Sequence, residues 1–462
     1  MSSWLERGHL GRSPVPKESS IHNRGWQKIL FDGTSRLTGR FPKAGSRVLD
    51  LGFQFLVGNS LLSGIASAYN RRIIRSIRSF RRFLVIPDIH IGDAVMTQSA
   101  LSALRDFFPF AQVDYVVNRA AHPLIEGNPE ASRVLPFFVG GSFPSAANLQ
   151  TLRDLIKGEG YDLCLNFCPY IRDKEIAPDG RRILNIMSYA PVIVKNERDP
   201  SKINHFIFHN YRFIHDLLSV VAEPVRAEPF RGVRLTFADS AVDKALRFAS
   251  EAGLSSEVPV VLFNPDGASP YTRLPFEMQA GLLHRLARMK ALILLGWGHT
   301  AAGIGVRLKD SLPFLLRSKV KLIPAEMPLE VYSALIDFCD VFLSGDTGPL
   351  HLAAARRHSR SGKFIFRNRT AVLSFFGATP ARMSGYDSFQ PGYLPANQDA
   401  PSWAYTAGSP CRNISCLNKM YKTCRTIRCF ENVDIEGLAG RIGSYLEGLS
   451  GRAPLRREPV SA

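Results

Sequence analysis

No Gly-x-Gly-x-x-Gly fingerprint occurs in these 462 residues, so the usual dinucleotide grip of an α/β domain is missing. The first apolar run begins near Val48, too late for a secretory signal, and a reducing cytosolic location is the expectation. Nor is there a clean stretch of about 20 apolar residues, the length a membrane-spanning helix needs. Leu51 to Tyr69 carries no charge, but Gln54, Asn59, Ser60, Ser63, Ser67 and three glycines dilute it. Acidic residues are scarce, 40 against 58 Lys and Arg, for a formal charge of +18. Basic motifs interleaved with aromatics are lacking as well, so no nucleic-acid partner is expected.

What charge there is lies unevenly. Residues 1–82 hold fifteen Lys/Arg against four Asp/Glu, a net of +11. Leu51, Phe55, Leu62, Ile65, Tyr69 and Ile73 recur at helical spacing, followed by Arg71, Arg72, Arg75, Arg78, Arg81 and Arg82. A basic amphipathic helix of this kind suits an anionic membrane surface, each cation adding about 1 kcal/mol. Packing on the protein's own body is the alternative. With 45% apolar and 21% charged residues the composition is globular, and the length argues for two domains plus extensions.

Strand and helix patterns alternate from Phe83 onward. FLVIP (83–87), VDYVV (113–117) and YDLCLNF (161–167) read as buried strands, with a helix through Met96, Leu101 and Leu104 to Phe107. His205, His209 and His215 fall among aromatics and are read as scattered surface or half-buried residues. A second series begins after Ser255: VPVVLFN, ALILLGWG, KVKLIP, DVFLS and AVLSFFG. Alternation predicts doubly wound parallel sheets, hence an α/β fold of two Rossmann-like halves. The divisions are 1–82 as a basic, partly disordered extension, 83–235 and 256–450 as the two domains, and 451–462 as a tail.

The chemistry-bearing residues follow the strands. Asp88 to Asp93 comes after the first; Asn264 to Arg273, with Ser269 and Thr272, comes after another; Gly345-Asp346-Thr347-Gly348 comes after DVFLS. Asp346 and Thr347 suit the cap of the Ala/Leu helix that follows, with Pro349 in its first turn. Free N–H groups at such a helix start favour a phosphate.

Five ordered motifs carry a resemblance: IGDAVMTQSALSALRDFFP, VDYVVNRAAHPLIEGNPEASRVLPF, NPDGASPYTRLP, SGDTGPLHLAAA and FFGATP. Together they resemble the ADP-heptose:lipopolysaccharide heptosyltransferases, glycosyltransferase family nine, over roughly Phe83 to Ile435. The resemblance implies a GT-B fold, two Rossmann-like domains facing across a cleft, with the acceptor held by the first and a nucleotide-sugar by the second. It implies inverting transfer of heptose, from ADP-heptose, to a lipopolysaccharide-core or other lipid-linked or envelope glycan, without a catalytic metal or other cofactor. The place of work would be the inner face of the cytoplasmic membrane.

Asp93 matches the family's general base; a cap for the following helix is its structural alternative. Asp346, Thr347, Gly348 and His351 match the donor-binding block, and Ser269 a phosphate-contacting hydroxyl. Thr272-Arg273 stands where the family has a Lys, and Arg273 is the candidate substitute. His299 to Ala302 replaces an acidic residue expected on the ribose. An insertion, 356–369, carries six cations read as serving a membrane or partner contact. Cys411, Cys416, Cys424 and Cys429 are spaced too loosely for the usual zinc pairs, and the resemblance implies reduced or mutually paired cysteines in preference to zinc. A non-catalytic member that binds sugar nucleotide or glycan is the competing function.

Overall fold

The computed structural model describes residues 79–88, 90–138, 146–168, 171, 176, 183–185, 205–219, 223–225, 232–255, 257–267, 271–296, 299–377, 379–407 and 428–449. The amphipathic 51–73 segment, Ser269, Cys411, Cys416 and Cys424 lie outside them.

Leu84 and Val85 have no exposed surface, because β1 (Arg82–Ile86) is covered on both faces. That is why its sequence is a continuous apolar run rather than an alternating one. Two short helices follow, α1 (Ile91–Met96) and α2 (Gln98–Phe107), broken at Thr97 where a single helix was expected. Next come β2 (Gln112–Asn118), α3 (His122–Ile125), β3 (Arg133–Phe138), α4 (Ala146–Glu159), β4 (Leu163–Asn166), β5 (Ile183–Asn185) and α5 (Phe206–Ser219). The sheet order is β3-β2-β1-β4-β5, all parallel. Leu84, Ile86, Val116, Leu152 and Ile156 lead its apolar core.

β6 (Arg234–Phe237) and α6 (Asp239–Glu251) precede a second sheet. Its elements are β7 (Val260–Asn264), α7 (Phe276–Arg288), β8 (Leu292–Leu295), α8 (His299–Asp310), α9 (Phe314–Arg317), β9 (Val320–Leu322), α10 (Leu329–Leu335), β10 (Val341–Ser344) and α11 (Gly348–Ala354). β12 (Ala371–Phe376), α12 (Ala381–Ser384), β13 (Ser402–Thr406) and α13 (Ile435–Leu449) complete it, while β11 (Arg356–Ser359) stands outside the sheet. The order β13-β12-β10-β7-β8-β9 is again wholly parallel. Val261, Phe263, Leu343, Leu373 and Phe375 fill its core, and Cys429 lies buried there. The α/β fold with parallel sheets is thus as expected.

Strand order reverses between β1 and β4 in the first sheet and between β7 and β10 in the second. Ligand crevices of open α/β sheets form outside the carboxyl ends of strands at such reversals. The loops after β1, β7 and β10 all stand there.

The insertion 356–369 departs from expectation. β11 pairs in parallel with β6, forming a separate two-stranded ribbon. Arg356 meets Asp399, and Arg360 meets Glu126 at 2.9 Å and Glu330 at 3.1 Å. Arg357 is buried and donates to the carbonyls of Ser333 and Leu352, while Arg367 donates to that of Asp337. These cations fasten the chain to itself rather than facing a partner.

Candidate active site

Asp93 is the third residue of α1, and His90 occupies the N-cap position. The reading of Asp93 as a helix cap is therefore corrected. His90 makes no side-chain cap bond either. Its Nδ1 lies 3.4 Å from Asp88 Oδ1 and 3.7 Å from Asp93 Oδ2. Asp88 is nearly buried, whereas the Asp93 side chain keeps 35% of its exposure. Burial, then repulsion from Asp88, pushes the Asp93 carboxyl up to about 7; His90 pulls it down and Asp346 adds to the rise. His90 is drawn above its ordinary value, first by its hydrogen bond to Asp88. Such a carboxyl changes charge near neutrality, as a general base must. Polar atoms of Asp88, His90 and Asp93 thus crowd within 4.8 Å of one another.

The turn after β10 meets α1 directly. A Cβ placed on Gly92 would lie 3.3 Å from the Gly348 Cα and 2.6 Å from His351 Cδ2. Glycine at 92 is what lets the two backbones come this close. Thr347 is the N-cap of α11 and Pro349 sits in its first turn, as expected. Thr347 makes no cap bond, however. Its Oγ1 is 2.9 Å from Ser344 Oγ and 3.4 Å from Asn264 Nδ2. Asp346 does not cap either; its Oδ1 accepts from Ser384 Oγ at 3.0 Å. Burial raises its pKa above the ordinary carboxylate value, against these hydroxyl bonds. α11 has only seven residues, so hydroxyl groups weigh more here than a helix dipole.

Thr272 belongs to the same place. A Cβ on Gly267 would sit 2.5 Å from Thr272 Oγ1 and 3.3 Å from Thr347 Cγ2, and one on Gly345 would strike the Thr272 carbonyl oxygen. Arg273 donates through Nη1 to Asp266 Oδ1 at 2.9 Å.

His351 is buried, its Nδ1 3.0 Å from the Tyr386 hydroxyl. Burial lowers it to about 4. His205, at the start of α5, packs on the Tyr386 ring with centroids 4.8 Å apart. Burial, then the proximity of His351, takes it down to about 3. His205 is thus a core residue rather than the surface or half-buried one expected.

The fold brings Asp93, Thr272, Asp346, Thr347, Gly348 and His351 to one place, whereas Arg273, next in the chain to Thr272, turns to Asp266. Sequence reasoning marked the loops holding Asn264 and His90 without giving either a role, and missed Ser344, Ser384 and Tyr386. Asn264 left a signal, a polar residue ending an apolar strand; Ser384 and Tyr386 lie some forty residues beyond the turn and left none.

Residues 229–359 match the model of glycosyltransferase family 9 (heptosyltransferase), which bears out the resemblance read from the motifs. No curated protein matches the chain. Among solved structures, a glycosyl transferase family 9 protein from Veillonella parvula is similar at a TM-score of 0.58. The two are 16% identical, with 80% of this chain and 98% of that one covered. The ADP-heptose lps heptosyltransferase II of E. coli follows at 0.51 and 15%, with 79% and 99% covered. At such identities the likeness speaks for the fold.

Proposed function

With a glycosyltransferase family 9 segment at residues 229–359 as the premise, we propose that this chain transfers heptose or a related sugar from a nucleotide-diphosphate donor to an envelope glycan, with inversion. The segment identifies the chain as a glycosyltransferase; donor, acceptor and stereochemistry are our reading. The supporting observation is the contact of Gly92 with Gly348, next to a carboxyl drawn up to about 7. In this reading the halves 83–235 and 256–450 are GT-B domains, and the donor lies between the loops after β7 and β10.

Asp93 takes the proton of the acceptor hydroxyl as that oxygen attacks the anomeric carbon. The bond from that carbon to the diphosphate oxygen breaks, and the diphosphate leaves from the opposite face. Thr272, Arg273, Thr347 and the Gly348 N–H stabilise its growing charge, and Ser269 is assigned to the same group. His351 takes a supporting role, holding the α1–α11 contact from beneath. General-base catalysis contributes about 10²–10⁴-fold. Asp93→Asn is therefore expected to lose transfer by that factor while ADP-, UDP- or GDP-sugars still raise the thermal midpoint. Transfer at the wild-type rate in Asp93→Asn overturns the base assignment.

A second reading has one observation in its favour. Arg273 is already paired with Asp266, so a non-catalytic sugar-nucleotide binder is the alternative. It predicts a midpoint shift by donor with no product from any acceptor.

The acceptor is proposed to be lipid-linked and met at the inner face of the cytoplasmic membrane through residues 51–82. Among the described residues no helix is long and apolar enough to cross a membrane. Replacing Arg71, Arg72, Arg75 and Arg78 with Glu is expected to end co-sedimentation with anionic vesicles; undiminished binding removes this surface from the proposal.

A further inference from the structure

His90 occupies a position where Ser, Thr, Asp or Asn would normally supply an oxygen to the backbone. It makes no such bond, and its Nδ1 turns instead to two carboxylates, 3.4 Å and 3.7 Å away. Three carboxylates converge here. Asp88 comes from the segment after β1, Asp93 from α1, and Asp346 from the turn after β10. Tyr115 on β2, whose hydroxyl bonds the Ala94 carbonyl, faces Asp93 as a fourth titratable group. Among the described residues, the basic side chain within ion-pairing distance of Asp93 is His90.

Like charges this close oppose ionisation, and an acid that stays protonated cannot accept a proton. A compensating cation on the helix start removes that obstacle. We propose that His90 is a positioning residue for the transfer reaction: anchored by Asp88, its imidazolium faces Asp93 and keeps that carboxylate in its proton-accepting form. The inference rests on the reading of Asp93 as the base. It adds a division of labour, in which Asp88 fixes the imidazole, His90 supplies the charge, and Asp93 touches the acceptor. His90 itself forms and breaks no bond to the sugar. Its half-exposed ring leaves the imidazolium open to exchange with solvent.

Two measurements on the full chain test this and separate it from the reading it rests on. The first needs no substrate: an NMR titration of the His90 ring, assigned by its loss in His90→Gln. The expected midpoint lies above 6.5 in the wild type and falls in Asp88→Asn. A midpoint at or below 6.5, or one indifferent to Asp88→Asn, overturns the inference. The second is the pH profile of kcat/KM. In His90→Gln its acid limb is expected to move up by about one unit, an approximately tenfold loss below the limb. His90→Lys, which restores the cation, is expected to bring the limb back. A limb that stays put in His90→Gln overturns the inference while the transferase reading stands. If wild type transfers nothing from any donor, the transferase reading falls, and the NMR titration still decides whether His90 is held as the cation.

Discussion

The imidazole of His351 lies against the bare Cα of Gly92, with 2.6 Å left between Cδ2 and the place a Cβ would take. His351 is held in turn by the Tyr386 hydroxyl, and Tyr386 is packed by His205. The ring therefore has little freedom to withdraw. Gly92→Ala is expected to cost about 1–3 kcal/mol, the usual toll of overpacking. It should lower the thermal midpoint, and a second change, His351→Ala, should return part of the loss. A midpoint equal to that of wild type would show that the α1–α11 contact is looser than these distances indicate.

The same histidines set a dependence on acid. Burial takes His351 down to about 4 and His205 to about 3, from an ordinary value near 6.5. Above pH 6.5 both are neutral whether the chain is folded or not, and they contribute nothing to the slope. Below it the unfolded chain binds protons that the folded one refuses, so stability falls as pH drops from 6.5 toward 4. The slope is at most about 1.4 kcal/mol per pH unit for each histidine. Asp93 works in the opposite sense, because its raised value makes the folded chain bind more protons between 3.8 and about 7. Urea midpoints at pH 7.5 and 5.0 should thus separate more in Asp93→Asn than in wild type, and less in His205→Gln. Equal separations in all three would contradict the burial argument.

Much of this was legible in the sequence because parallel strands covered on both faces must be apolar throughout. FLVIP, VVLFN and AVLSFF announce themselves that way, and β1, β7 and β12 stand where they were read. Two of the strands that escaped notice break the rule for local reasons. β3 contains Pro136, and β11 reads RRHS, which looks like a solvated charge run. Arg357 is nonetheless buried, satisfied by carbonyls from α10 and α11 that only the tertiary fold supplies. Asp93 and Thr347 were legible from motif order. Their partners were not: Asn264 and Ser384 reach Thr347 and Asp346 across long separations, and a lone histidine before a helix suggests nothing until Asp88 is seen beside it. Thr347 holds the cap position as read, but neither its oxygen nor that of Asp346 caps the backbone, since both have side-chain partners in space.

Four of the six cations in 356–369 are engaged with carboxylates or carbonyls of the same chain. The positive charge of the molecule leans toward the first 82 residues, which hold +11 of the formal +18. At physiological ionic strength the field of such charge fades within about 8 Å. The proposed adhesion to an anionic bilayer should then weaken steeply as salt is added, whereas the sequestered interactions of the insertion should hardly respond. One chain would so combine a salt-sensitive grip with a salt-tolerant scaffold.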